Sequence, residues 1–354
     1  MPTTVNRRNF LKTTTLLPFA AASMGGLAGA LADTAKQPIK RVGGSNLKIS
    51  INAFSFTGIM PQTHEDQTVG ASVPLPTTQK SGGKARGSGA TRKGTHRAHG
   101  QMTLFDFVDF CSKNNIDGCD PTGYFFPTYP TPPDDEFIYS LKRHAFELGV
   151  GISGTGVRNN FTTADKSLRD YSIQKIKNWV EVAAKLGAPV LRVFCDTQLR
   201  GMTWHDVAPN ATRQQVRDWI IADLKECTAH GERFGVIIGV QNHGDFLQTA
   251  DQVLELVDGV DSDWCGVIVD TGYFNHAPDP YAEMTKVAPY AVNWQVKQTL
   301  GEETDPPLDL VRLMRIVRSS GYSGFLPIET LGSDPYTAVP EMVKQLRAAI
   351  AQTA

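Results

Sequence analysis

Short apolar stretches of strand length alternate with longer stretches of helical spacing along most of the chain, and that alternation restricts it to an α/β architecture. Leu47 to Phe54 alternates apolar and polar residues as a strand does. Leu104 to Asn114 has helical spacing, Ile116 to Asp120 reads as a strand, and Asp134 to Leu148 as a helix stopped by Gly149. Val150 to Thr155 is a third strand. Tyr171 to Leu186 is an amphipathic helix ended by Gly187 and Pro189. Val190 to Phe194 and Val236 to Val240 are strands on either side of a helix from Gln214 to Phe234. The remaining strands are Gly266 to Val269, Ala291 to Val296 and Gly324 to Ile328. The remaining helices cover Thr249 to Val257, Tyr281 to Val287, Asp309 to Ser319 and Tyr336 to Ile350.

Eight strand–helix units in about 310 residues predict a (β/α)8 TIM barrel. A doubly wound open sheet would need a glycine-rich nucleotide loop after its first strand. That strand runs instead into Phe54-Ser55-Phe56-Thr57-Gly58. One connection breaks the rhythm: residues 59–102, between the first strand and first helix, form a long insertion. From Ser81 to Gly100 it holds six glycines, five Lys or Arg and two histidines, with no acid and no large apolar residue. Such a basic, Gly-rich stretch cannot bury a core and is expected to be flexible. It reads either as a lid or clamp for an anionic ligand, or as a solvated insertion.

Ahead of the barrel, Asn6-Arg7-Arg8-Asn9-Phe10-Leu11-Lys12 precedes an uncharged stretch of small and apolar residues ending in Ala30-Leu31-Ala32. Paired arginines, a weakly apolar stretch and a small-x-small step resemble a twin-arginine export signal over residues 1–32, and no stable membrane span. The domains expected are therefore this leader and a barrel over 33–354, with a periplasmic destination. That route carries folded proteins, often with a cofactor loaded. Lys and Arg total 35 against 36 Asp and Glu, which leaves no global field for nucleic acid. The five cysteines have no paired spacing and read as core thiols rather than a disulfide framework or a structural zinc site.

Functional side chains of such a barrel belong at the C-terminal ends of its strands. The last four strands end in Gln241-Asn242-His243, Asp270-Thr271-Gly272, Gln295-Val296-Lys297 and Ile328-Glu329. A carboxylate closing an apolar strand is costly unless paired, hydrogen-bonded or metal-bound. Alternation puts Gln241 and His243 on one face, and Gln295 and Lys297 on one face of theirs. Two carboxylates and two amides converging on one pocket would suit Mg²⁺ or Mn²⁺, with Zn²⁺ and Ca²⁺ also open. The alternative is that Asp270 and Glu329 only cap loops or pair with Arg and Lys.

The order of these strand ends, Val269-Asp270-Thr271-Gly272, Gln241-Asn242-His243 and Gly321-Tyr322-Ser323-Gly324 leading to Ile328-Glu329 resemble the sugar phosphate isomerase/epimerase family with its xylose-isomerase-like TIM barrel. The resemblance runs from about Leu47 to the C-terminus. It implies a divalent metal held from the last four strands, carried over by position to Gln241, Asp270, Gln295 and Glu329. Two positions depart: Gln241 stands where a glutamate is usual and Gln295 where a histidine is usual. Gln241 has no proton to exchange near neutral pH, so a two-carboxylate epimerase mechanism does not carry over. Candidate catalytic groups are then Glu329, His243 and Lys297. Arg158, after the third strand, Trp294 and His276 are candidates for holding substrate. Arg158 would take a hydroxylated or anionic group, and Trp294, with Tyr124-Phe125-Phe126, a sugar face.

The resemblance implies an exported, divalent-metal-dependent isomerase or epimerase, or a related lyase, acting beside a carbonyl on a free, keto- or glycosidic sugar. The expected partner is a small carbohydrate and not nucleic acid, and a homo-oligomer is compatible with the sequence. A non-catalytic sugar-binding barrel with a degenerate metal site is the alternative. An endonuclease acting at abasic sites shares the fold, but this chain has few histidines at its strand ends.

Overall fold

The computed structural model describes residues 36–62, 102–199, 201–332 and 334–354. The expected leader and nearly all of the expected insertion lie outside the described residues. Nine parallel strands form the sheet: β1 (Leu47–Asn52), β2 (Gly118–Asp120), β3 (Gly151–Ile152), β4 (Thr155–Gly156), β5 (Val190–Val193), β6 (Ile237–Gln241), β7 (Cys265–Asp270), β8 (Ala291–Lys297) and β9 (Gly324–Glu329). Their order is β3-β2-β1-β9-β8-β7-β6-β5-β4. The two edges, β3 and β4, are successive pieces of one extended segment split at Ser153-Gly154. That segment closes the sheet into an eight-stranded barrel, as the strand count predicted.

Helices follow the strands: α1 (Leu104–Lys113), α2 (Asp135–Glu147), α3 (Lys166–Leu186), the short α4 (Trp204–Val207), α5 (Arg213–Phe234), α6 (Ala250–Val260), α7 (Pro280–Val287), α8 (Leu310–Ser319) and α9 (Pro335–Gln352). Capping boxes at Thr103/Asp106, Thr212/Gln215 and Thr249/Gln252 start α1, α5 and α6, each cap being worth about 1 kcal/mol. Helix α3 begins five residues before the expected Tyr171 because Asp165 caps it, accepting from the Ser167 N–H. Its C-terminus is where the sequence puts it: Gly187 has φ +88°.

Odd and even strand residues part company as alternation requires. Trp294 and Val296 of β8 are fully buried in the apolar core that includes Met314 and Val317 of α8 and Leu346 of α9. Asn293, by contrast, reaches across the barrel and donates from Nδ2 to the Ser153 carbonyl at 3.1 Å. Gln295 and Lys297 share that inward face. All five cysteines are buried and free. Among the described residues, no helix is long and apolar enough to cross a membrane.

Candidate active site

Strands β6 to β9 are successive neighbours, so their C-terminal ends bring Gln241, Asp270, Gln295, Lys297 and Glu329 together. All five side chains are buried. Each carboxylate receives one amide: Gln241 Nε2 donates to Asp270 Oδ2 at 2.6 Å, and Gln295 Nε2 donates to Glu329 Oε2. The Lys297 ammonium serves both carboxylates, with Nζ 2.6 Å from Glu329 Oε1 and 3.5 Å from Asp270 Oδ2. The other Asp270 oxygen accepts the Gly272 N–H at 2.9 Å. Asn242 clamps the Asp270 backbone from both sides, donating to its carbonyl at 2.8 Å and accepting its N–H at 2.7 Å.

Burial raises the Asp270 carboxyl above its ordinary value, against the attraction of Lys297. Glu329 is equally buried, but the Lys297 charge and hydrogen bond, Arg192 and the Gln295 amide outweigh burial and hold it below its ordinary value. Lys297 loses by burial and gains more from the two carboxylates, so it stays an ammonium. Gly272 makes its place: a Cβ there would come within 2.6 Å of Lys297 Cδ. The Lys297 N–H is pinned to Thr271 Oγ1 at 2.9 Å.

A second pair lies alongside. His243 Nδ1 donates to Asp196 Oδ2 at 2.6 Å, which leaves Nε2 as the free ring nitrogen. Its ring packs between Phe194 at 4.7 Å and Tyr273 at 4.0 Å, centroid to centroid. Gln198 Nε2 donates to the other Asp196 oxygen at 2.7 Å. Gly244, at φ +72°, lets Asp196 approach, because any Cβ there would collide with the Asp196 carboxylate. Tyr273 joins the two groups, since Lys297 Nζ lies 5.2 Å from the same ring. A cavity of about 280 Å³ adjoins Lys297 and Glu329 on the side of Gln298, Thr299, Glu303 and Leu331.

The expected metal ligands therefore converge, but the donor set does not fit a divalent cation. Both amides turn N–H donors toward the carboxylates and an ammonium sits between the two acids; the unpartnered Gln241 Oε1 is the one buried oxygen left over as a ligand among these amides. A doubly charged ion about 4 Å from an ammonium is repelled by about 8 kcal/mol at an effective dielectric near 20. Among the described residues, no group of three His, Cys, Asp or Glu is arranged to hold a metal. Of the readings open for Asp270 and Glu329, the structure shows both pairing with Lys297, and Asp270 also capping the loop at Gly272.

Arg158, just after β4, holds its guanidinium 4.5 Å over the Tyr124 ring, and Arg192 Nη2 donates to the Tyr124 hydroxyl at 3.0 Å. Trp294 must be corrected: it is fully buried on the outward face of β8, edge-on to Tyr322, and cannot stack on a sugar. Alternation decides this, since Gln295 beside it points inward. Tyr124, Phe125 and Phe126 are likewise buried packing residues. His276 is exposed on the loop after β7, outside the bonded cluster. Asp196 was not foreseen, although it carries a signal of the kind that marked Asp270, a carboxylate just past an apolar strand. Asp120, at the end of β2, is pushed up to about 6 by burial, against the attraction of Arg192.

Comparison with known proteins agrees with this architecture. The xylose isomerase-like TIM barrel model matches residues 105–351. No curated protein matches the chain. Among solved structures, it is similar to 3-keto-D-glucoside 4-epimerase from E. coli, with 15% identity and a TM-score of 0.59 over 72% of this chain and 97% of that one. It is similar to D-psicose 3-epimerase from Clostridium cellulolyticum H10, with 13% identity and a TM-score of 0.60 over 70% and 93%. The zinc-bound IolI protein matches with 14% identity and a TM-score of 0.59 over 87% and 99%. At these identities the solved structures establish the fold alone. With the family model spanning most of the chain, the protein belongs to the xylose isomerase-like TIM barrel family.

Proposed function

We propose that the protein is an exported sugar isomerase/epimerase-like enzyme that moves a proton beside the carbonyl of a free, keto- or glycosidic sugar. The observation that carries this reading is the His243–Asp196 pair set against Tyr273, whose ring also contacts Lys297 above Glu329. Two of the similar structures are sugar epimerases by name, one acting on a 3-keto-D-glucoside. Their chemistry is of this class.

The steps follow from these groups. His243 Nε2 takes the proton from the carbon next to the carbonyl while Asp196 stabilises the imidazolium through Nδ1. The C–H electron pair forms the enediolate double bond and the carbonyl π pair moves onto oxygen. There an N–H of Lys297 stabilises the developing charge. Return of the proton to the neighbouring carbon, with the hydroxyl proton passing to the former carbonyl oxygen, gives the isomer. Return to the same carbon from the opposite face gives the epimer and needs a second donor. Asp120, pushed up to about 6 by burial, exchanges its proton nearer neutral pH than an ordinary carboxyl and is the one proposed for that role. No step is routed through a metal, because the donor set does not fit one.

The sugar-binding alternative keeps one observation in its favour: Gln241, at the end of β6, cannot exchange a proton. Incubation with ketohexoses and 3-keto-glucosides, followed by NMR of the sugars, separates the two readings. Conversion that falls with His243→Asn supports the enzyme. A sugar that binds and is recovered unchanged supports the binding barrel.

A further inference from the structure

We infer that Lys297 occupies the place of the divalent cation in this barrel: the centre carries its own monovalent cation and works without a metal. The argument rests on placement. Nζ lies between the carboxylates closing β7 and β9, 3.5 Å from Asp270 Oδ2 and 2.6 Å from Glu329 Oε1. The arrangement is built rather than incidental. Gly272 leaves room for the lysine stem, Thr271 fixes its backbone, and the side chain is only 8% exposed, so the ammonium has little room to swing aside.

The two glutamines belong to the same device. A divalent ion asks for carboxylate, imidazole or amide oxygen directed at it. Here Gln241 and Gln295 turn N–H groups toward Asp270 and Glu329. Two negative charges are thus met by one ammonium and two neutral donors. A glutamate at Gln241 would add a third negative charge beside an ammonium that two carboxylates already share. The amides at 241 and 295 thus suit a centre whose two acids share the Lys297 ammonium.

The remaining N–H of Lys297 is available to the adjoining cavity, whose wall it forms with Glu329. The ligand class is a neutral sugar whose carbonyl or hydroxyl oxygen accepts that hydrogen bond. The inference rests on the barrel mouth being the site, not on the reaction assigned to it, so protein that turns over no sugar still tests it.

The test is metal binding by the full exported chain. Chelator-stripped protein is dialysed against Mn²⁺, Mg²⁺ and Zn²⁺ in turn, with bound metal counted by mass spectrometry and melting followed with and without each ion. The wild type is expected to retain no stoichiometric metal at the barrel mouth and to show no metal-dependent rise in melting temperature. The triple variant Lys297→Met with Gln241→Glu and Gln295→His is expected to take up one Mn²⁺ per chain. One equivalent bound by the wild type and lost in Asp270→Asn overturns the inference. If the triple variant does not fold, the wild-type measurement with Asp270→Asn decides alone.

Discussion

Asp120 and His243 answer to different measurements. Burial raises Asp120 from 3.8 to about 6, so the folded chain keeps a proton that the unfolded chain has released between those values. The folded state then binds more protons than the unfolded state, and stability from this group falls as pH rises from about 4 to about 6. A shift of about two units corresponds to about 3 kcal/mol. Asp120→Asn removes that dependence. Urea unfolding at pH 4 and pH 7 should show a smaller loss of stability over this interval in the variant than in the wild type. For His243 the readout is rate: His243→Asn is expected to lower kcat by about 10²- to 10⁴-fold with the fold intact. Asp196→Asn should lower kcat with little change in KM, because it positions the imidazole without touching the sugar.

Strand β8 shows how alternation sorts roles one residue apart. Trp294 belongs to the layer between sheet and helices, so Trp294→Ala is expected to cost about 3–5 kcal/mol in chemical unfolding. Trp294→Phe should leave sugar affinity unchanged; a loss of affinity with stability retained would return the residue to the site. The same alternation was readable in the sequence for Gln241 with His243 and for Gln295 with Lys297. Helix ends followed from caps and glycines, as at Gly187. What could not be read was partnership across strands: alternation puts Lys297 inward but does not say that its ammonium reaches both acids. The split of the third barrel strand at Ser153-Gly154 also escaped, since Val150-Gly151-Ile152-Ser153-Gly154-Thr155 reads as one extended stretch and does not announce where its pairing changes sides. The pairing of Asp196 with His243 joins residues 47 positions apart and needed the fold.

At the scale of the whole molecule, we propose that the barrel is exported and that its chemistry does not depend on metal supply. The export part is tested by cell fractionation: Arg7→Lys with Arg8→Lys is expected to leave the protein in the cytoplasm, and unchanged export would remove the twin-arginine reading. The central claim, proton transfer beside a sugar carbonyl, is tested most directly by isotope exchange. Chelator-treated protein is incubated in D₂O with a ketohexose or 3-keto-glucoside it binds, and deuterium is followed at the carbon beside the carbonyl. Incorporation by the wild type is expected to survive chelation and to disappear in His243→Asn. A sugar that binds yet is neither deuterated nor converted would contradict proton transfer at this site.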